Sequence, residues 1–365
     1  MRVSLLAVFP CLAVLATALP GSSTAASFMA LGFAPGANLS TATSVSADGS
    51  VVAGYSFPSG GAFRWTQGGG MVSLGTNLAN GVSGDGSVVV GGDAQAFRWT
   101  SGGMVNLGFL PGSSPSSMSS IAQGVSYDGS VVIGSSTYSA SGSNEAFRWT
   151  SSSGMVGLGF LPSGTASYGS AVSADGSVVV GSSSFNPVTT GVQQAIRWTS
   201  GGGMVGLGFL PGTDQSAATA VSADGSVVVG NSSNSDISNP IQGSFRWTAS
   251  GGMISLGGPT AYGVSGDGSV VVGSCGGVGG ACIWDAKNGW RVLRNVLTSD
   301  GLNLPAMSLD VATGVSADGE TIVGYGTQSV GGKQEAWIAT IPEPGTGMLV
   351  MAGVLGLAIT RRTKT

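Results

Sequence analysis

Seven aspartates sit in near-identical company. Asp48, Asp85, Asp128, Asp175, Asp224, Asp267 and Asp318 each end a Val-Ser-x-Asp run and each precede a glycine, as in AVSADGSVVVG at 171–181 and again at 220–230. A ring of carboxylates would be Ca²⁺ chemistry. A Ca²⁺ loop, however, needs several oxygen ligands at short spacing, and each run offers one Asp beside Ser and Gly. The other reading is geometric. Asp bonds nearby backbone in turns, and Asp-Gly signals a two-residue hairpin whose central residues both take φ > 0. The turn reading is preferred for all seven.

The remaining reactive residues are few. There is no histidine, and charged residues make up 8% of the 365, against roughly a quarter in an average globular protein. That removes the commonest acid–base group and the commonest metal ligand. Arg64, Arg98, Arg148, Arg197 and Arg246 recur between Phe or Ile and Trp, while Ile283 and Ile338 hold this position in the last two units. Alternation in a strand puts Arg opposite the aromatic side chains. Such a surface could stack bases, but the preferred role is structural, to a carboxylate or to turn carbonyls between units. Trp65, Trp99, Trp149, Trp198, Trp247 and Trp284 share one repeat position and read as core.

A glycosidase needs two placed carboxylates. The acids outside the turns, such as Glu145, Asp214, Asp285, Asp310 and Glu335, show no common repeat position. No nucleophile–base pair is visible. The expectation is therefore no catalytic, cofactor-binding or metal residue, and no enzyme. Cys275 and Cys282 bracket Gly-Gly-Val-Gly-Gly. Neighbouring strands can bring them into disulfide range, and two cysteines without histidine would under-ligate a metal.

Elements that position these residues repeat with them. The aspartates are spaced from 37 residues (Asp48 to Asp85) to 51 (Asp267 to Asp318), the period of a propeller or a solenoid. Each unit divides into four short strands: one ending at Val-Ser, one reading SVVVG, one reading AFRWT, and one reading MVxLG. β-Branched and aromatic residues fill them, with Gly, Asp and Ser between. The apolar second strand predicts burial on both faces, and no helical periodicity competes for the body. The last unit ends QEAWIATIP and lacks its fourth strand, while FMALGFAPG at 28–36 precedes the first unit. In a ring, that N-terminal strand completes the last blade and removes an open edge. The predicted fold is all-β, a seven-bladed β-propeller so closed. The alternative is a β-solenoid.

The two ends differ from this body in composition. Residues 1–26 carry one Arg, an apolar run from Val3 to Leu19 and small residues after it. That is the layout of a secretory signal peptide cleaved near Ala25 or Ala26. Cys11 lies in the apolar run. The body, 27–341, holds nine Lys/Arg against sixteen Asp/Glu, a net charge of −7, which argues against nucleic acid as a partner. Residues 342–365 read as a C-terminal apolar helix over Met348–Ile359 between Pro342-Glu343-Pro344 and the basic Arg361, Arg362 and Lys364. As a helix it spans roughly 20 Å, short for a bilayer core of about 30 Å, and its basic end would stay cytoplasmic.

This segment resembles a PEP-CTERM sorting signal, with all three parts in order. The resemblance implies an exosortase-type membrane protease as partner, a Gram-negative envelope, transient anchoring in the inner membrane, and release or surface attachment of the body. The body resembles the extracellular HAF-family repeat, through AFRWT…GGMVxLGxLPG at 62–75, 96–112 and 146–162 and, with Ile196 for Phe, at 195–212. The histidine of that family is replaced by Gly61, Gln95, Glu145, Gln194 and Gly243. Any role assigned to it does not carry over.

Strand parity then divides the surface. The Asp-Gly and Ser-Gly-Gly turns fall on one face, and the segments that vary between units fall on the other. Variable loops on a repeated scaffold are where binding usually resides. The expected function is a binding or scaffold module of the cell surface or exopolysaccharide matrix, with extracellular polysaccharide or surface proteins as partners. The alternatives are a matrix-active carbohydrate enzyme and a purely structural envelope protein.

Overall fold

The computed structural model describes residues 25–75, 78–112, 118–138, 143–185, 192–236, 238, 240–276 and 279–342. Residues 25–341 form one compact unit. The apolar helix expected at 348–359, the sorting residues Glu343, Pro344, Arg361 and Arg362, and the leader to residue 24 lie outside the described residues.

Seven antiparallel sheets of four strands make up the body. Blades 1 to 6 cover 39–75, 79–108, 120–157, 166–206, 215–257 and 260–292, each with its strands in chain order from the inside outward. Blade 7 takes three strands from 311–340, and Ser27–Gly32 completes it as the outer strand, with Ser27 opposite Thr340 and Met29 opposite Ile338. The offset strands at the two ends of the repeats therefore meet, and the ring closes. Gly32 occupies the place of Gly108, Gly159 and Gly208. Each of these glycine carbonyls accepts the hydroxyl of the next blade's innermost Ser: Ser40, Ser120, Ser167 and Ser216 respectively, at 2.7 Å.

Seven apolar clusters fill the seven seams between blades. Alternation along the second strand explains its unbroken apolar run. Val51 and Ala53 face blade 2, and Val52 faces blade 7. In the third strand Phe63 faces blade 7 with Trp65. Phe63, Phe97, Phe147, Phe245 and Trp337 are fully buried, each contributing on the order of 2–3 kcal/mol relative to exposure.

The backbone also closes the circle. The residue between Ser and Asp in one turn donates to its counterpart in the next: Tyr127 to Ala174, Ala174 to Ala223, Ala223 to Gly266, Gly266 to Ala317, Ala317 to Ala47, and Ala47 to Gly84, each at 2.9 Å. Asp85 N–H to the Tyr127 carbonyl, 3.1 Å, supplies the remaining link.

Three local expectations need correction. The Asp-Gly hairpin is a four-residue loop, not a two-residue one. Ser46 N–H donates to Val51 O across Ala47–Ser50, and Gly49 N–H returns to Ser46 O. Only the glycine takes positive φ (74° at Gly49), and none of the seven aspartates does. Asp keeps ordinary backbone geometry, and its carboxylate accepts from both sides of the turn, from Ser46 Oγ and from the Ser50 N–H at Asp48. Second, a helix is present. Leu293–Ser299 follows blade 6 and seals the seam to blade 7 with Leu293 and Leu297, both fully buried. Seven residues are too few for helical periodicity to show. Third, Glu145 and Glu335 do share a repeat position, directly before Ala146 and Ala336, and Gly159 and Gly32 donate their N–H groups to them at 2.8 and 3.1 Å.

Candidate binding faces and the central channel

Every Asp-Gly turn is built alike. The Ser Oγ of Val-Ser-x-Asp donates to Asp Oδ1 at 2.5–2.8 Å. The same Oγ accepts the N–H of the residue five positions on at 2.9–3.0 Å. Asp Oδ1 also accepts the N–H two positions on, at 2.9–3.0 Å. These serines (Ser46, Ser83, Ser126, Ser173, Ser222, Ser265, Ser316) are 0–1% exposed. Sequence reasoning passed over them, although Ser is as constant as Asp.

In six of the turns these bonds favour the ionised carboxylate. The Ser222 hydroxyl, then the Ser226 N–H, lowers the Asp224 pKa to about 2. Ser46 and Ser173 lead the same lowering at Asp48 and Asp175, and the Ser130 N–H leads it at Asp128. At Asp85 and Asp267 partial burial is the largest influence and pushes upward, yet the Ser hydroxyls and backbone donors still bring the pKa down. Among the described residues no group of three or more His, Cys, Asp or Glu is placed to hold a metal.

Arg locks the turns of adjacent blades. Arg64, Arg98, Arg148, Arg197 and Arg246 donate from Nε to the carbonyls of Gly86, Gly129, Gly176, Gly225 and Gly268, at 3.0–3.4 Å. Each acceptor is the turn glycine of the following blade. Of the two structural roles expected, the structure selects the turn carbonyl.

The channel through the ring is about 210 Å³ and is lined by the innermost strands. Each of these strands carries a β-bulge, seen as a register shift between Ala42 and Ser44 in blade 1 and at the same place in the others. The extra residue is Thr43, Asn80, Gln123, Ser170, Thr219, Tyr262 or Thr313, and all seven line the channel. Bulges re-aim side chains. Beside the bulge the second strand requires glycine: a Cβ on Gly54 would sit 2.0 Å from Thr41 O. Four of the seven side chains tie blades together. Thr43, Asn80, Thr219 and Thr313 donate to Ala79 O, Ala122 O, Ala261 O and Ala42 O at 2.8–3.1 Å. Tyr262 is the ionisable group among the lining residues, which include no carboxylate, Lys or Arg. The sequence signal was a varying polar residue between small ones, two before each Val-Ser.

The variable face carries aromatic groups amid hydroxyls and amides. Tyr55 packs on Phe57 with ring centroids 5.5 Å apart, and Tyr138 on Phe160 at 5.1 Å. Tyr168 and Tyr262 are 37% and 41% exposed. Burial raises the Tyr325 pKa, and Tyr262, Tyr55 and Asp310 add to it, which places these groups of blades 6, 7 and 1 near one another. Parts of the variable segments, at 139–142, 186–191, 237 and 239, lie outside the described residues. Cys275 and Cys282 form a disulfide on this side of blade 6, with Cα atoms 5.7 Å apart. Ala25 and Ala26 precede the outer strand of blade 7, and Ile341 N–H donates to Glu320 O in the Asp-Gly turn of that blade. The chain thus comes in and leaves on the constant-turn side. No helix among the described residues is long and apolar enough to cross a membrane.

No family model matches the chain, and no curated protein does. Among solved structures it is similar to hydrazine synthase of Kuenenia stuttgartiensis (12% identity, 88% of this chain and 98% of that one, TM-score 0.49). It is also similar to the Dos1 propeller (16%, 81% and 76%, TM-score 0.46). A third is the Cps50 (Swd1) β-propeller domain of Myceliophteria thermophila (10%, 85% and 99%, TM-score 0.46). The assignment as a seven-bladed propeller stands on the strand pairing of the chain itself.

Proposed function

We propose that this chain is a non-enzymatic binding or scaffold module of the cell surface or exopolysaccharide matrix. One observation carries this reading: the two faces of the ring have different work. The constant turns are consumed in holding blades together, through Ser–Asp pairs and Arg–Gly locks. The variable side is tied between blades at its strand ends, through serines such as Ser40 on Gly32 and Ser120 on Gly108, and beyond them its segments differ from blade to blade and present tyrosines amid Ser, Thr and Asn. Flat aromatic faces flanked by hydroxyls and amides suit sugar rings. An uncharged channel is compatible with a neutral, hydroxyl-rich ligand.

Export completes the proposal. Residues 1–26 direct secretion with cleavage near Ala25 or Ala26. Residues 342–365 anchor the chain in the inner membrane of a Gram-negative cell until an exosortase-type protease acts at Pro342-Glu343-Pro344. Because the body's two ends lie on the constant-turn side, the variable loops occupy the side away from both.

The export half is tested by fractionation and intact mass in an exosortase-bearing host. Wild type loses its tail near Pro342, and Glu343→Ala stays full-length in the membrane. Retention of the tail by both makes the segment an ordinary anchor.

A further inference from the structure

Five seams of the ring show what fills the space beside an Asp-Gly turn. In each, an Arg guanidinium from the preceding blade donates to the turn glycine's carbonyl. Two seams lack the Arg. Between blades 6 and 7 the substitute, Ile283, is 2% exposed and closed over by a core that includes Val270 and Ile341. Between blades 7 and 1 the substitute, Ile338, is only half-buried. There a cleft of about 580 Å³ opens, lined by Ile338, Gly49, Thr321 and the outer strand at Phe28 and Met29. Among the described residues no side chain donates to the Gly49 carbonyl.

We propose that this cleft binds a guanidinium group, the arginine side chain of an extended peptide from a partner protein. The molecule displays the chemistry five times within itself: planar N–H donors on a turn carbonyl. Trp65 lines this cleft beside Met29, and guanidinium stacks on aromatic faces. Asp85, also in the lining, supplies a carboxylate. Arg64 lines it too, but its guanidinium is turned to Gly86 of the next blade, 3.2–3.3 Å away. The volume exceeds what one side chain fills, which leaves room for peptide main chain beside it. This proposal is independent of export and of glycan binding.

The test is a titration of the full chain with N-acetyl-arginine amide, followed by NMR at Gly49, Thr321 and Ile338. One saturable site is expected there, with n-butylammonium binding at least tenfold more weakly. Ile338→Arg supplies the missing side chain internally and abolishes the site. Arg246→Ile opens the same gap between blades 5 and 6 and raises the number of sites from one to two, which serves if Ile338→Arg fails to fold. An arginine-bearing peptide that binds more tightly than the amide supports a partner as the source. Binding that appears only after Arg361→Gln with Arg362→Gln assigns the source to this chain's own tail instead and overturns the partner peptide. Absence of saturation in every form, binding unchanged by Ile338→Arg, or shifts spread evenly over all seven Asp-Gly turns overturns the guanidinium site.

Discussion

Arg98 of blade 2 donates its Nε–H to the carbonyl of Gly129 in blade 3, at 3.0 Å. This is the shortest of five such locks, and each joins a third strand to the turn of the following blade. Arg98→Ala removes a charge-assisted bond and the stem packing of a seam residue. We expect a loss of about 1.5–3 kcal/mol, read by denaturant unfolding. Arg98→Lys should recover less than half, because an ammonium cannot reproduce the guanidinium's fixed donor geometry.

The buried serine of the turn should matter more than the visible aspartate. Ser173→Ala leaves Val178 N–H without its acceptor and Asp175 without its strongest donor. A loss of about 1–3 kcal/mol is expected for a buried group left unsatisfied. Asp175→Asn keeps an acceptor oxygen for the Ser177 N–H and should cost about 1 kcal/mol or less. Unfolding midpoints of the two variants give the comparison directly.

Acid should loosen the constant face. Six of the turn aspartates, Asp48, Asp85, Asp128, Asp175, Asp224 and Asp267, have pKa values lowered by folding. A depressed folded pKa gives stability that is present above the unfolded value of about 3.9 and is lost as pH falls through the folded value, about 2 at Asp224. The melting temperature should therefore be set by these groups only below about pH 4. Ser222→Ala should flatten that dependence, since it removes the leading cause at Asp224.

The Cys275–Cys282 bridge closes a short loop between the second and third strands of blade 6. Chain-entropy reasoning for so small a loop gives about 2–3 kcal/mol. Reduction should lower stability by that order without unfolding the other blades. Thiol titration of the unreduced body should find neither cysteine reactive.

Ring closure depends on a strand from the opposite end of the chain. Deleting residues 27–32 exposes the third strand of blade 7, with Ala336, Trp337 and Ala339, as an open edge. Such edges template association. The deleted form should aggregate and lose cooperative unfolding, measured by light scattering and calorimetry.

Much of this architecture was legible because the repeat is written in residues with one job each. Gly after Asp, Val at three successive positions, and Phe-Arg-Trp in the third strand each fix a local conformation and a facing direction. The spare FMALG strand told of closure. What stayed hidden needed a second blade to interpret. Arg could not be given its acceptor because Gly129 O belongs to another unit, 31 residues away. Thr43 and its counterparts looked like ordinary strand residues because a bulge leaves no period of its own. The helix at Leu293–Ser299 was too short to show one. The cleft at Ile338 is a missing side chain, visible only once five neighbours show what it replaces.

The central functional claim is that the variable face is the binding face. Hydrogen exchange of the full chain, with and without exopolysaccharide from an exosortase-bearing host, tests it most directly. The account predicts protection at the variable segments around Tyr55, Tyr138, Phe160 and Tyr325, with the seven Asp-Gly turns unchanged. Protection centred on those turns, or none at saturating polysaccharide, would contradict it.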